Sequence, residues 1–272
     1  MRFGLPILAA ASLLFAGGAI CSASTITDTF GQVQNNCNYR ASAPYSDCDV
    51  VGDPQVYDIQ GISFANNGTT ASLVITLNSG AVKKSGNTYG LSSFSDGGLT
   101  LIPGDIFFYP TDATYDPSDP TTTKNLKYGI ALTSHGSFQA GGLYAIGGGV
   151  SVETAQQALN SQDYYRRNEV VLMTGSGTAI STGTVSVASN GGDGTTNAKY
   201  AITVTIPESA ALLNLFLNNQ MGILFSSADC GNDVIQGNVS STTGVPEPGP
   251  MVLILTGIGF LLAGRRWRKP TA

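Results

Sequence analysis

The stretch that decides the fold is "KYAITVTI", Lys199 to Ile206. Tyr200, Ile202, Val204 and Ile206 alternate with Ala201, Thr203 and Thr205. A period of two sends one set to a core and the other to a wetter surface, the pattern of a half-buried strand. Comparable runs recur along the chain: "QVYDIQGISF" (55–64), "ASLVITL" (71–77), "LTLI" (99–102), "DIFFY" (105–109), "KYGIALT" (127–133), "LYAI" (143–146), "EVVLMT" (169–174), "GTVSVAS" (183–189) and "MGILFSS" (221–227). Turn-forming clusters such as "NNGTT", "SDGG" and "SNGGDGTTN" separate them. With 34 Gly and only 11% charged residues, the composition suits short strands and many turns better than long helices. Strands at this spacing predict a mainly β body, an antiparallel β-sandwich of jelly-roll-like type. Two segments read as short helices capping it. "SVETAQQALNSQDYYRR" (151–167) has Ala155, Ala158 and Leu159 at helical spacing, and "PESAALLNLFLNNQ" (207–220) opens with Pro207 and Glu208, which favour a helix start.

Charge is distributed unevenly. Of 13 basic residues, Arg2, Arg265, Arg266, Arg268 and Lys269 lie outside 24–244, and of 18 acidic residues only Glu247 does. The body therefore holds 8 basic against 17 acidic groups, a net charge of −9. That sign repels phosphate backbones, and no basic patch interleaved with aromatics occurs, so nucleic acid is excluded as a partner.

The first residues, "MRFGLPILAAASLLFAGGAICSAS", run from one Arg through an apolar stretch to small residues. This is the order of a secretory signal peptide, residues 1–23, with cleavage after Ala23. Export makes the cysteines readable. Cys37 and Cys48 flank a polar loop, and a bridge between them would constrain the unfolded chain by roughly 3 kcal/mol. Cys230 is the third, and three cysteines allow three single pairings. The single histidine, His135, and the lack of a CxxC spacing argue against zinc.

The body gives few chemical handles. His135 sits in "LTSHGS" with no nucleophile-elbow motif beside it and reads as a loop histidine without a catalytic role. Glu153, Glu169 and Glu208 are the only glutamates of the body, and no motif pairs carboxylates as glycoside hydrolysis requires. Asp53, Asp58, Asp105, Asp112 and Asp116, with Asp119 nearby, lie at turns and strand starts, where oxygen ligands for calcium would be expected; Asp-Pro pairs are also ordinary turn formers. Phe107, Phe108, Tyr109 and Tyr115 cluster beside these acids and would either stack on sugar rings or fill the core. Asn67 and Asn238 stand in glycosylation sequons.

The chain ends on "VPEPGPMVLILTGIGFLLAGRRWRKPTA" (245–272). From Met251 to Gly264 there are 14 uncharged residues, about 21 Å of helix against a hydrocarbon core of roughly 30 Å. Arg265, Arg266, Arg268 and Lys269 follow directly and should stay in the cytoplasm, leaving the body outside. Val245-Pro246-Glu247-Pro248, the apolar helix and the terminal Arg-rich cluster together resemble the PEP-CTERM sorting signal. The resemblance covers 245–272 only. It implies that Pro246, Glu247 and Pro248 are recognised by an exosortase, a membrane-embedded cysteine transpeptidase/protease, and that the Arg cluster stops transfer. It also implies transient anchoring in the inner membrane, cleavage near the motif, and a final place on the cell surface or in an exopolysaccharide or biofilm matrix. Cys230-Gly231-Asn232-Asp233 is similar to the end of the body domain in many such proteins and reads as a turn closing the last strand. The expectation for residues 24–244 is a non-enzymatic structural or adhesive role. A carbohydrate-binding module for the host's own polysaccharide is the alternative, and a secreted hydrolase a more distant one.

Overall fold

The structure, a computed structural model, describes residues 22–27, 54–66, 70–96, 99–112, 115, 120–159, 169–190, 200–207, 212, 221–229 and 233–239. All of these fall within the compact unit Cys21–Thr243. Residues 1–21 of the signal peptide, Cys37, Cys48, Cys230, Asp53, Asp116 and the sorting segment 245–272 lie outside the described residues.

The protein is mainly β, with antiparallel sheets. In chain order the strands are β1 (Ser22–Thr27), β2 (Ile59–Asn66), β3 (Thr70–Leu77), β4 (Val82–Ser85), β5 (Thr88–Leu91), β6 (Phe94–Asp96), β7 (Leu99–Leu101), β8 (Ile106–Pro110) and β9 (Tyr128–Ile130). They continue with β10 (Gly142–Ala145), β11 (Val150–Thr154), β12 (Val170–Gly175), β13 (Ser181–Thr182), β14 (Thr184–Ser189), β15 (Tyr200–Pro207), β16 (Met221–Ser226) and β17 (Val234–Val239). One sheet runs β1-β2-β3-β15-β14-β5-β4, and the other runs β13-β10-β9-β8-β16-β17. Two ribbons, β11-β12 and β6-β7, complete the described set.

Alternation explains the first sheet. β3 and β15 bury every second residue. Register then lines up one row across the sheet, buried at its four isoleucines and half-buried at Val187 and Tyr89: Ile26 faces Ile62, Ile62 faces Ile75, Ile75 faces Ile202, Ile202 faces Val187, and Val187 faces Tyr89. Each fully buried Ile of this row contributes about 2 kcal/mol by leaving water.

The second sheet is different, because β8 and β16 bury nearly every residue. Ile106, Phe108, Ile223 and Phe225 join the first sheet in one core, while Phe107, Tyr109 and Leu224 pack on the opposite side with Val170 and Met173 of β12. A sheet covered on both faces reads as a continuous apolar run, as "DIFFY" does. The molecule thus stacks the seven-stranded sheet, the six-stranded sheet and a partial outer layer carrying β11-β12. The edge strands β1 and β17 meet at one corner, where a Cβ on Gly237 would lie 2.6 Å from Ile26 Cγ2. The free edge at β4 carries exposed Lys83 and Lys84, which discourage pairing with another chain.

Three expectations change. Ser151–Thr154 belongs to strand β11, and the described part of the expected helix is Ala155–Leu159. Gln55–Tyr57 lies in a short helix, Pro54–Tyr57, rather than in the strand that starts at Ile59. Pro207 ends β15, and of the second expected helix only Leu212 is described, as helical and buried. Strand β1 also spans the expected cleavage point. Cutting after Ala23 would leave Ser24–Thr27 paired with Phe64–Gly61.

Candidate functional site

Of the five aspartates expected as calcium ligands, Asp58, Asp105 and Asp112 are among the described residues, and they stand in different surroundings. Asp58 accepts from Gln60 Nε2 at 2.6 Å and from Asn78 Nδ2 at 3.5 Å, Asp112 is exposed, and Asp105 is in the interior. Among the described residues no three His, Cys, Asp or Glu side chains form a group that could hold a metal. The aromatic cluster beside them is core. Phe107 and Phe108 are 0% exposed, Tyr109 4% and Tyr115 2%, so none of these rings is open to a sugar. Tyr115 explains its own burial: its hydroxyl accepts from the Val170 amide at 3.0 Å and its carbonyl from Gln236 Nε2 at 3.1 Å.

What the fold does bring together is Asp105 and His135. Asp105 stands at the start of β8, and its amide donates to the Val171 carbonyl at 2.8 Å. Its side chain points inward, where Oδ2 accepts from the Met173 amide at 2.7 Å. The residue is 0% exposed. His135 arrives from the loop between β9 and β10. Its Nε2 lies 3.2 Å from Asp105 Oδ2, a close charge contact set off the line of a hydrogen bond. Its Nδ1 lies 2.9 Å from the Thr133 carbonyl. A carbonyl only accepts, so Nδ1 must carry a proton. Both ring nitrogens are therefore engaged, and the imidazole anchors its loop.

Electrostatics bind these groups to two further acids. Burial pushes the Asp105 carboxyl up, opposed by His135 and by the Met173 and Leu132 amides. Burial opposes charge on His135 as well, but the Asp105 carboxylate outweighs it and lifts the imidazole to about 9. The two statements describe one unit that keeps a single proton between its acid and alkaline limits. Glu153 on β11 is pushed up by burial, with His135 pulling the other way and Asp105 adding to the rise. Asp229, after β16, is pushed up by burial to about 7, opposed chiefly by its contact with the Ile102 amide.

The turn between β16 and β17 is a second buried polar site. Asp233 is 0% exposed, and its Oδ2 accepts from the Ile59 amide at the start of β2. Its carbonyl accepts from the Ser227 amide at 2.9 Å, and Ser226 Oγ donates to the Ala228 carbonyl at 2.7 Å. The segment read as a terminal turn is therefore followed by β17, and its aspartate joins the two large sheets. Asn238 is exposed on that strand. No family model, curated protein or solved structure matches the chain.

Proposed function

We propose that this is an exported surface or matrix protein whose last 28 residues, 245–272, are a sorting signal read and cut by an exosortase. One observation carries the reading. Val245-Pro246-Glu247-Pro248, a short apolar stretch and an Arg-rich end follow one another at the C-terminal end, behind a signal-like N-terminus. An apolar stretch this short is a poor permanent anchor, and Gly257 and Gly259 weaken it as a helix. Among the described residues no helix is long and apolar enough to cross a membrane.

The body then acts as a carried domain with a structural or adhesive role in exopolysaccharide. It is a hairpin-built sandwich more than a jelly-roll-like one, since consecutive strands are neighbours at β2-β3, β8-β9-β10, β14-β15 and β16-β17. The burial of Tyr109 and Tyr115 removes the ring platform that would have favoured a carbohydrate-binding module.

The test is to replace Pro246 and Pro248 together by Ala in a host with an active exosortase and to fractionate the cells. The variant should accumulate in the inner membrane as the longer, uncut species. A variant distributed and processed like the natural chain would refute recognition through the Pro-Glu-Pro motif.

A further inference from the structure

We propose that the Asp105–His135 contact is a proton-operated latch. It holds the hairpin from Thr133 to Gly142 against β12 while the pair keeps its proton, and it releases the hairpin when that proton is lost.

The geometry around the ring makes the case. The Thr133 carbonyl faces Nδ1 and the Asp105 carboxylate faces Nε2, so both neighbours are acceptors when Asp105 is ionised. Only a doubly protonated ring, or a protonated Asp105 beside a neutral ring, satisfies both. Remove the one shared proton to water and every arrangement fails. An Nδ1–H tautomer sets a lone pair against a buried carboxylate, and an Nε2–H tautomer sets one against the Thr133 carbonyl. Asp105 is wholly buried, so its charge has no solvent to turn to unless the hairpin lifts. Among the described residues, Glu153 from β11 and Asp229 from the turn after β16 are the other titratable groups coupled to this ring, and both are acids. Once ionised they add negative charge around a ring that no longer carries its own positive charge.

The hairpin is built to move as a unit. His135 and Phe138 exchange backbone hydrogen bonds of 3.1 and 2.9 Å around Gly136, whose φ of 53° is left-handed. The Ala140 amide donates to Ser134 Oγ at 3.1 Å, inside the same hairpin. Among the described residues, the hairpin is tied to neighbouring elements by Ser137 Oγ to the Gly175 carbonyl at 3.0 Å, which is exposed, by the Gln139 amide to Tyr144 Oη on β10 at 2.8 Å, by the Gly183 amide to the Gly141 carbonyl at 2.9 Å, and by the His135–Asp105 contact, which alone among them changes its charge with pH in the neutral to alkaline range. The His135 ring lies tilted against Phe138 at 5.5 Å, and Phe138 meets Tyr144 edge to face at 4.9 Å, so release would uncover Phe138 and Tyr144, each now 2% exposed.

The single histidine gives a clean probe. The full chain, labelled only at histidine, is titrated by NMR in detergent, and backbone hydrogen exchange is followed in parallel. The imidazole should titrate near 9, not near 6.5. Between those values, protection of the Phe138 and Gly141 amides should fall about tenfold per pH unit relative to Ile202 and Val204, after correction for intrinsic exchange. In Asp105→Asn the midpoint should drop to about 6.5 or below, and the pH dependence of protection should vanish. A natural chain that titrates near 6.5, or hairpin protection that stays flat through the titration, overturns the latch. So does an Asp105→Asn chain that still titrates near 9. If that variant does not fold, the two measurements on the natural chain still decide.

Discussion

Raising the pH from 6.5 through about 9 should destabilise the folded body steeply. The sign follows from where the proton sits. His135 has a folded pKa above its ordinary value, so its stabilising contribution is fully present below 6.5 and is lost as the pH climbs through about 9. The size of that shift corresponds to about 3 kcal/mol. For a body of this length each kcal/mol moves the melting temperature by roughly 2–4 °C, which gives a fall of about 10 °C. Asp229 acts in the same direction at lower pH. Burial raises it to about 7, so the folded state retains a proton that the unfolded chain releases, and stability falls between 3.8 and about 7. The body should therefore be most stable on the acid side of neutrality. Thermal melts followed by far-ultraviolet circular dichroism across this range, at fixed ionic strength, measure it. A melting temperature that stays level or rises between pH 6.5 and about 9 would refute the assignment of the proton to the Asp105–His135 pair.

Two substitutions test the frame that holds the site. Asp233→Ala leaves the Ile59 amide without its carboxylate acceptor in the interior and should cost about 2–3 kcal/mol in urea unfolding; a loss under about 0.5 kcal/mol would mean the carboxylate is not joining the sheets. Ile75→Ala empties the middle of the six-strand row and should cost about 3–4 kcal/mol, whereas a loss near that of an exposed site would show the two large sheets are not sharing this core.

The body's larger strands are legible because physics repeats itself in them. β3 and β15 alternate, and β8 and β16 run apolar because both their faces are covered. The strands that are hard to read have weak patterns for identifiable reasons. β4 and β5 are polar and partly exposed, although Gly86-Asn87 between them is turn chemistry, with Gly86 at a φ of 60°. β17 carries Gln236, Gly237 and Asn238 in its middle, since as an edge strand it exposes two of them and needs the glycine to let Ile26 approach. β1 is hidden inside a segment that reads as a cleavage site. The Asp105–His135 pair has only a faint local signal. Nothing at "PGDIFFY" or "LTSHGS" shows that β8 and the β9–β10 loop meet, because the pairing is made by the sheet order. One hint is present, an aspartate leading directly into an apolar run, which only a buried partner can make tolerable.

The account's central claim concerns the C-terminal end, and one mass settles it. The protein should be purified from its native host, from cells and medium, and its intact mass and C-terminal peptide determined. The account predicts a chain that ends near Val245–Pro248 and lacks Arg265, Arg266, Arg268 and Lys269. A chain that runs intact to Ala272 in a host with an active exosortase would contradict it.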